Sequence, residues 1–232
     1  MEFLTNLSQK QKKELQHFLL NFISEERKAH FDSIIPQRTR HLTVVLEDIY
    51  QSQNASAVLR TCESLGVQNI HVIEDKHEYT LNPKVTIGCA KWIHIHKYQK
   101  PEATTKSCLT ELKNKGYKLI ATTPHENDVN ITELDVTEPI ALMMGTEKHG
   151  LTDTALEMAD AFINIPMFGF SESFNISVSA AICIQEIMNK LRNSNINWKL
   201  SLEEQLDLEL EWCYNTIKRP DLLVKKFLSN DS

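Results

Sequence analysis

Residues 41–74, HLTVVLEDIYQSQNASAVLRTCESLGVQNIHVIE, predict a strand, a helix and a second strand in succession. The runs 41–48 and 68–74 are short and apolar, which is typical of strands buried in a parallel sheet. Residues 54–66 between them are helical in pattern and end at Gly66, which suits the left-handed position after a helix. Because two parallel strands need a crossover between them, this stretch predicts the start of an α/β domain.

The same alternation continues towards the C-terminus. Further strands are predicted at 91–98, 117–123 and 139–145, and further helices at 102–116, at 152–160 and over 181–191. The strand 91–98 differs from the others because Ile93 and Ile95 alternate with His94 and His96. Strands and helices that alternate in this way predict a parallel sheet with helices on both faces.

The two termini predict helical extensions of this domain. Ser8 can cap a helix whose apolar residues follow one stripe, and Ser201 with Glu204 matches a capping box for a later helix. The polar stretch 192–199 is typical of a linker, and the sequence KRPD (218–221) interrupts the last helix before a short tail. The predicted division is therefore 1–40, 41–192 and 193–232.

Composition places the chain among ordinary globular proteins, with 41% hydrophobic and 24% charged residues and a formal charge of −6. No signal peptide is evident and no apolar run is long enough for a membrane span, so we expect a cytoplasmic protein. The five cysteines are scattered without a CxxC pair, which argues against a disulfide framework and a structural zinc site.

The usual nucleotide-binding motifs of α/β domains are missing. No two of the six glycines form a GxG pair, so the dinucleotide fingerprint is absent. The sequence GTEKHGLT (145–152) has the glycines of a phosphate loop, but Leu151 stands where its lysine belongs, which disfavours a nucleotide hydrolase. His94 and His96 could share a metal ion, but no third ligand is evident, and edge or surface histidines are the favoured interpretation.

Three segments together carry a family resemblance: NASAVLRTCESLGV (54–67), MMGTEKHGLTDTAL (143–156) and INIPMFGFSESFNISVSAA (163–181). In this order they resemble the three motifs of the SpoU branch of the SPOUT methyltransferases, and within that branch the TrmH group, over roughly residues 36–192. The resemblance implies a SPOUT-type α/β knot, with the C-terminal part of the domain threaded into a deep trefoil knot. It also implies S-adenosyl-L-methionine as methyl donor, a homodimer, and methylation of the ribose 2′-hydroxyl of guanosine 18 in tRNA.

The motifs also imply individual site residues. The cofactor would be held by backbone groups and apolar contacts of Thr123, Gly145, Ile165, Met167 and Phe174. The catalytic residues implied are Arg60, Asn54, Glu147, Ser173 and Asn175, with Arg60 facing the cofactor pocket. Each has a simpler interpretation: Asn54 as a helix N-cap, Arg60 as a surface residue, Ser173 and Asn175 as turn formers, and the aromatics of the third motif as core or interface.

For RNA contacts, the basic residues Arg38 and Arg40 before the first strand are the strongest candidates, together with Lys218 and Arg219. The weaker candidates are Lys10, Lys12, Lys13, Lys225 and Lys226. Two further functions stay open beside tRNA methylation: a ribosomal RNA 2′-O-methyltransferase and a non-catalytic RNA-binding member of the fold. The short segment before the first motif and the C-terminal helical extension favour tRNA.

Overall fold

The computed structural model describes residues 4, 6–75, 78–99, 104–123 and 129–230, which form two compact units. The larger unit is Thr39–Trp198, and the smaller one combines Met1–Arg38 with Lys199–Ser232. The strands are β1 (Leu42–Glu47), β2 (Asn69–Glu74), β3 (His94–Gln99), β4 (Lys118–Thr122), β5 (Val129–Asn130), β6 (Ile140–Met144) and β7 (Ala161–Asn164). The helices are α1 (Gln9–Leu20), α2 (Glu25–Ile34), α3 (Ser52–Leu65), α4 (Pro83–Thr86), α5 (Thr105–Asn114), α6 (Asp153–Met158), α7 (Ile176–Arg192), α8 (Leu202–Thr216) and α9 (Pro220–Asn230).

The sheet of the larger unit has the order β3-β2-β1-β6-β4-β7-β5, and every paired strand runs parallel to its neighbour. Strand β6 lies between β1 and β4, in register so that Leu42 faces Ile140 and Leu46 faces Met144. The carboxyl ends of these central strands therefore meet at one edge of the sheet, where α/β proteins bind ligands.

Helices cover both faces of the sheet, which confirms the predicted α/β class. One face packs against α3 and α7, as shown by the buried cluster that contains Val44, Leu59 and Ile184. The other face packs against α5 and α6, with Val45 and Leu109 in a second buried cluster. Alternate residues of β1 thus enter opposite clusters because successive side chains of a strand point to opposite faces.

The four main predicted strands are present, with bounds that differ by one or two residues. The strand predicted at 91–98 begins only at His94, since Cys89–Trp92 form a 3-10 helix. The first two residues of the helix predicted at 102–116 lie outside the described residues, and that helix begins at Thr105. The short strands β5 and β7 were not predicted, because two to four residues give no clear alternation.

The smaller unit contains α1, α2, α8 and α9. Ser201 and Glu204 form the predicted capping box, and the predicted cap Ser8 also forms a capping box, with Gln11 as the returning side chain. The described residues before the first strand contain a helix that was not predicted, because α2 starts at a second cap, Ser24. The expectation of a short C-terminal tail is wrong, because α9 follows the KRPD interruption.

Two further observations concern the described residues. All five cysteines are free and buried. None of the described helices is both long enough and apolar enough to cross a membrane. The threading of the chain into a trefoil knot stays a prediction.

Candidate active site

A cavity of about 440 Å³ opens at the carboxyl edge of the sheet. Its wall is built from the ends of β4, β6 and β7, from the segment 145–151 after β6, and from the segment after β7 that leads into α7. This volume lies within the roughly 300–1,000 Å³ range of small-molecule sites. The cavity is therefore a candidate site for a cofactor-sized ligand.

All five residues that the sequence motifs implied for cofactor binding line this cavity. They are Thr123, Gly145, Ile165, Met167 and Phe174. Thr123 donates its backbone N–H to the carbonyl of Ile163, so the ends of β4 and β7 are joined at the cavity wall. These residues come from three segments of the chain and lie on one surface. Their role in binding stays a prediction.

Gly145 is required by the shape of the loop that follows β6. A Cβ atom at this position would lie 2.1 Å from the backbone carbonyl of Gly150, far inside van der Waals contact. The loop closes on itself through two hydrogen bonds, in which Thr146 and Gly150 each donate a backbone N–H to the carbonyl of the other at 2.9 Å. A side chain at position 145 would prevent this closure, so Gly145 allows the loop to fold tightly at the cavity wall.

A polar network joins three of the predicted catalytic residues. Glu147 lines the cavity, and its Oε1 accepts hydrogen bonds from Nδ2 of Asn54, at 2.9 Å, and from Nδ2 of Asn175. Asn175 Nδ2 also lies 3.2 Å from Oδ1 of Asn54. The structure thus brings together one residue from each of the three motifs, although they are up to 121 positions apart in the sequence.

The local structure explains how these side chains are held. Asn175 is the N-cap of α7, and its Oδ1 accepts the backbone N–H of Ser177 at 2.9 Å, so its amide group is free to face Glu147. The alternative role of Asn54 as a helix N-cap is wrong, since Gln51 is the N-cap of α3 and Asn54 is the third residue of the helix. Asn54 is only 9% exposed, and Gln51 accepts a second hydrogen bond from its Nδ2 at 3.1 Å.

The other two predicted catalytic residues differ in position. Ser173 is exposed and lines the cavity. Arg60 does not line it: this side chain is exposed on α3 and borders a separate groove, together with Ala181 and Gln185 of α7. The expectation that Arg60 faces the cofactor pocket is therefore not met within a single chain.

The basic residues proposed for RNA contacts are not equally accessible. The expectation that Arg38 lies at the surface is wrong: it is 1% exposed, and its guanidinium lies 5.9 Å from the ring centroid of Trp212. Arg40 is half-buried, whereas Lys218 and Arg219 are exposed. Of the weaker candidates, Lys12 is buried in an ion pair with Asp207, and the others, Lys10, Lys13, Lys225 and Lys226, are exposed.

A histidine cluster lies along β2 and β3. His71 is buried, stacks on His96 with ring centroids 4.6 Å apart, and its Nδ1 lies 3.0 Å from the hydroxyl of Tyr98. Burial, with a smaller contribution from His96, lowers the pKa of His71 to about 3. Among the described residues, no group of three or more His, Cys, Asp or Glu side chains is placed to hold a metal ion.

A family of known sequences matches the part of the chain that contains the three motifs. The sequence profile of the SpoU rRNA methylase family matches residues 41–185, more than half of the chain and all three segments of the site. The chain belongs to the SpoU rRNA methylase family.

This SpoU family member is similar to characterised relatives over most of its length. It is 41% identical to the tRNA (guanosine(18)-2′-O)-methyltransferase of Borreliella burgdorferi, over 86% of this chain and 90% of that protein. It is 30% identical to the protein of the same name from Escherichia coli, over 83% of this chain and 84% of that protein. The crystal structure of the A. aeolicus TrmH/SpoU tRNA modifying enzyme superposes with a TM-score of 0.74 at 30% identity, covering 84% of this chain and 98% of that one.

Sequence reasoning missed two residues that shape this site in the SpoU family member. Glu47, at the end of β1, is 2% exposed and accepts a hydrogen bond from the backbone N–H of Thr152 at 2.8 Å. Thr152 is the N-cap of α6 and follows directly after the loop that lines the cavity. A signal was available, since a glutamate that ends an otherwise apolar strand must find donors when it is buried.

Proposed function

We propose that this chain transfers the methyl group of S-adenosyl-L-methionine to the ribose 2′-hydroxyl of guanosine 18 in the D-loop of tRNA. The observation that carries the proposal is the cavity at the carboxyl edge of the sheet, lined by all five residues of the implied donor site. The network of Asn54, Glu147 and Asn175 adjoins it. The choice of tRNA and of guanosine 18 rests on the names of relatives that are 30–41% identical over most of this chain.

Part of the cavity wall fits the adenosine part of the donor, which carries no phosphate. Gly145 presents backbone at the cavity, and Ile165 and Met167 contribute apolar side chains beside it. Since the donor carries no phosphate, the missing phosphate-loop lysine is no obstacle. S-adenosylmethionine supplies an electrophilic methyl group, and these residues would hold it in line with the attacking oxygen.

The network of amides around Glu147 has a positioning role in this proposal. Its carboxylate accepts from both Asn54 and Asn175, so it fixes the two amide groups relative to the cavity wall. The second lone pair of Asn54 Oδ1, which already accepts Asn175 Nδ2, could then accept a ribose hydroxyl, and the hydroxyl of Ser173 could donate to the neighbouring phosphate. Such prior placement lowers the barrier because the groups need no reorganisation during the reaction.

Arg60 would act in a dimer. A 2′-hydroxyl is very weakly acidic, and a guanidinium carries only N–H donors, so it is a poor proton acceptor. Its fork of donors can instead bridge a phosphate and the alkoxide that develops as the oxygen attacks the methyl group and its proton passes to solvent. Because Arg60 borders a groove outside its own cavity, we place it at the cavity of the second protomer of a homodimer. The exposed Phe174 and Val178, at 40% and 44%, provide apolar surface for such contact.

A second substrate class has one observation in its favour, because the matching family is described as an rRNA methylase family. Relatives that are 30–41% identical over 83–86% of this chain carry the tRNA name, so tRNA is the proposed substrate.

A cytoplasmic location also stays a prediction.

One experiment separates these functions. The protein is incubated with methyl-labelled S-adenosylmethionine and an unmodified tRNA transcript, the same tRNA with 2′-deoxyguanosine at position 18, or a ribosomal RNA fragment. Nuclease digestion then maps the label. We expect label on the ribose of guanosine 18 and none on the deoxy substrate. Label on a base, or only on ribosomal RNA, would overturn the proposal, and binding without any transfer would favour the non-catalytic alternative.

A further inference from the structure

Glu47 is a buried carboxylate in the centre of the sheet. It is the last residue of β1, the strand between β2 and β6, and is 2% exposed. In the described part of the chain, no lysine, arginine or histidine lies within ion-pair distance of it. A carboxylate in such a place destabilises the fold unless several hydrogen-bond donors replace the water that it loses.

Three donors face this carboxylate, and two of them come from one residue. Oε2 accepts the backbone N–H of Thr152 at 2.8 Å, and Oε1 accepts the Thr152 hydroxyl at 2.7 Å. Oε1 also accepts the hydroxyl of Thr105, in the first turn of α5, at 2.6 Å. The Thr152 hydroxyl in turn accepts the N–H of Ala155, so it is held on both sides. Glu47 therefore fixes the backbone and the side chain of Thr152 together.

Thr152 is the far end of the segment that forms one wall of the cavity. The near end is Gly145, which directly follows β6, and β6 pairs with β1 up to Leu46 and Met144. Continued by one residue, this register places Glu47 beside Gly145. Both ends of the segment 145–152 are therefore held by the end of β1, one through the sheet and the other through the carboxylate.

The segment between these ends is closed and carries the chemistry of the site. Thr146 and Gly150 form two backbone hydrogen bonds with each other, and the absence of a Cβ at Gly145 allows residues 145 and 150 to approach closely. These contacts couple the position of one end of the loop to that of the other. Glu147 lies on it and accepts the amide groups of Asn54 and Asn175. A shift of Thr152 would thus displace both the backbone that lines the cavity and the carboxylate that orients the amides.

We propose that Glu47 is a positioning residue, which holds the loop 145–151 in the geometry that binds the methyl donor. This inference rests on the proposed function, in that the ligand of the cavity is taken to be S-adenosylmethionine. It concerns a residue outside the cavity, whose carboxylate acts through Thr152.

The test compares the affinity of the full-length protein for S-adenosylhomocysteine, measured by calorimetry, in Glu47→Gln and in the parent. Glutamine keeps the size of the side chain but replaces one acceptor oxygen by an NH₂ group, which faces the Thr152 N–H or the two hydroxyls. We expect the Kd to rise about tenfold, as when one charge-assisted hydrogen bond no longer holds the loop. The KM for tRNA in methyl transfer should change less than the Kd for S-adenosylhomocysteine, because the basic residues proposed for RNA contacts, such as Lys218 and Arg219, lie outside this loop.

Matched variants separate positioning from general stability. Thr105→Val removes a donor to the same carboxylate oxygen without touching the loop, so its Kd should stay at the parental value. Thr152→Val should raise the Kd as Glu47→Gln does, and Thr152→Ser, which keeps both donors, should restore it. If Glu47→Gln fails to fold, parental affinity in Thr152→Val still refutes the role of Glu47, because that variant removes the hydroxyl donor to the carboxylate.

The outcomes are distinct from those for the proposed function. If the parent itself binds no S-adenosylhomocysteine, the proposed function fails. If the parent binds but folded Glu47→Gln and Thr152→Val bind equally tightly, the role of Glu47 is refuted while the function stands. The role is also refuted if Thr105→Val weakens binding as much as the other two, since the carboxylate would then act only on stability.

Discussion

Replacement of Glu147 by glutamine tests the network at the cavity most directly. In the native chain, one carboxylate oxygen accepts two amide N–H groups, from Asn54 and from Asn175. A hydrogen bond to a charged group contributes about 1 kcal/mol more than a neutral one. Because Glu147 is exposed and its charge is screened by water, we take a contribution of about 0.5–1 kcal/mol for each of the two bonds. Glu147→Gln should then cost about 1–2 kcal/mol of transition-state stabilisation, a roughly 5- to 30-fold loss in kcat/KM.

The assay is single-turnover methyl transfer to tRNA at saturating donor, since this step reports the chemical geometry without product release. Glu157→Gln, on α6 and outside the cavity lining, removes the same charge from the surface and should leave the rate unchanged. The melting temperature should stay within a few degrees in both variants, because neither side chain is buried. Parental activity in folded Glu147→Gln would refute the reasoning, as would an equal loss in Glu157→Gln.

Three further predictions follow from particular positions. Arg60→Ala and Asn175→Ala should each abolish most methyl transfer. Mixing the two variants should restore activity, because a heterodimer would then contain one intact site. If mixing restores no activity, the placement of Arg60 at the cavity of the second protomer is refuted. Gly145→Ala should destabilise the protein by about 1–3 kcal/mol in urea unfolding, since its Cβ would lie 2.1 Å from backbone atoms, whereas Gly169→Ala, with nothing within 4 Å, should not. His71, whose pKa burial lowers from 6.5 to about 3, stays neutral in the native state while the unfolded chain takes up a proton. Stability should therefore fall as the pH drops below about 6.5, by up to about 1.4 kcal/mol per unit, and His71→Asn should flatten this slope in unfolding measured between pH 7 and pH 4.

Several features of the fold followed from local sequence, because their causes are local. The apolar runs around 41–48 and 139–145 form strands, since only a buried parallel sheet hides such runs from water on both faces. Ser8 and Ser201 cap helices. Three residues after each of them, the side chain of Gln11 or Glu204 accepts the backbone N–H of the serine. Gly66 ends α3 at a φ of 93°, a conformation that other residues rarely adopt.

The positions of charged side chains were harder to predict. Arg38 was expected at the surface, yet it is buried against Trp212, which lies 174 positions later. Glu47 is the last residue of β1 and nothing nearby in the sequence indicates that it is buried, yet Thr105 and Thr152, at the beginnings of two helices, donate hydrogen bonds to it. In both cases, distant segments decide whether a charge is exposed, and no pattern along the chain records their arrival.

The sequence by itself determined the class of the domain, the caps Ser8 and Ser201 and, through three motifs, the residues Asn54, Glu147 and Asn175 that the structure brings together. Tertiary structure alone decided how these residues are arranged. It placed β6 between β1 and β4, joined Asn54, Glu147 and Asn175 into one network, and left Arg60 outside the cavity of its own chain. The physical reason is that periodicity and capping depend on neighbours within a few residues, whereas strand order and side-chain contacts depend on which distant surfaces pack together.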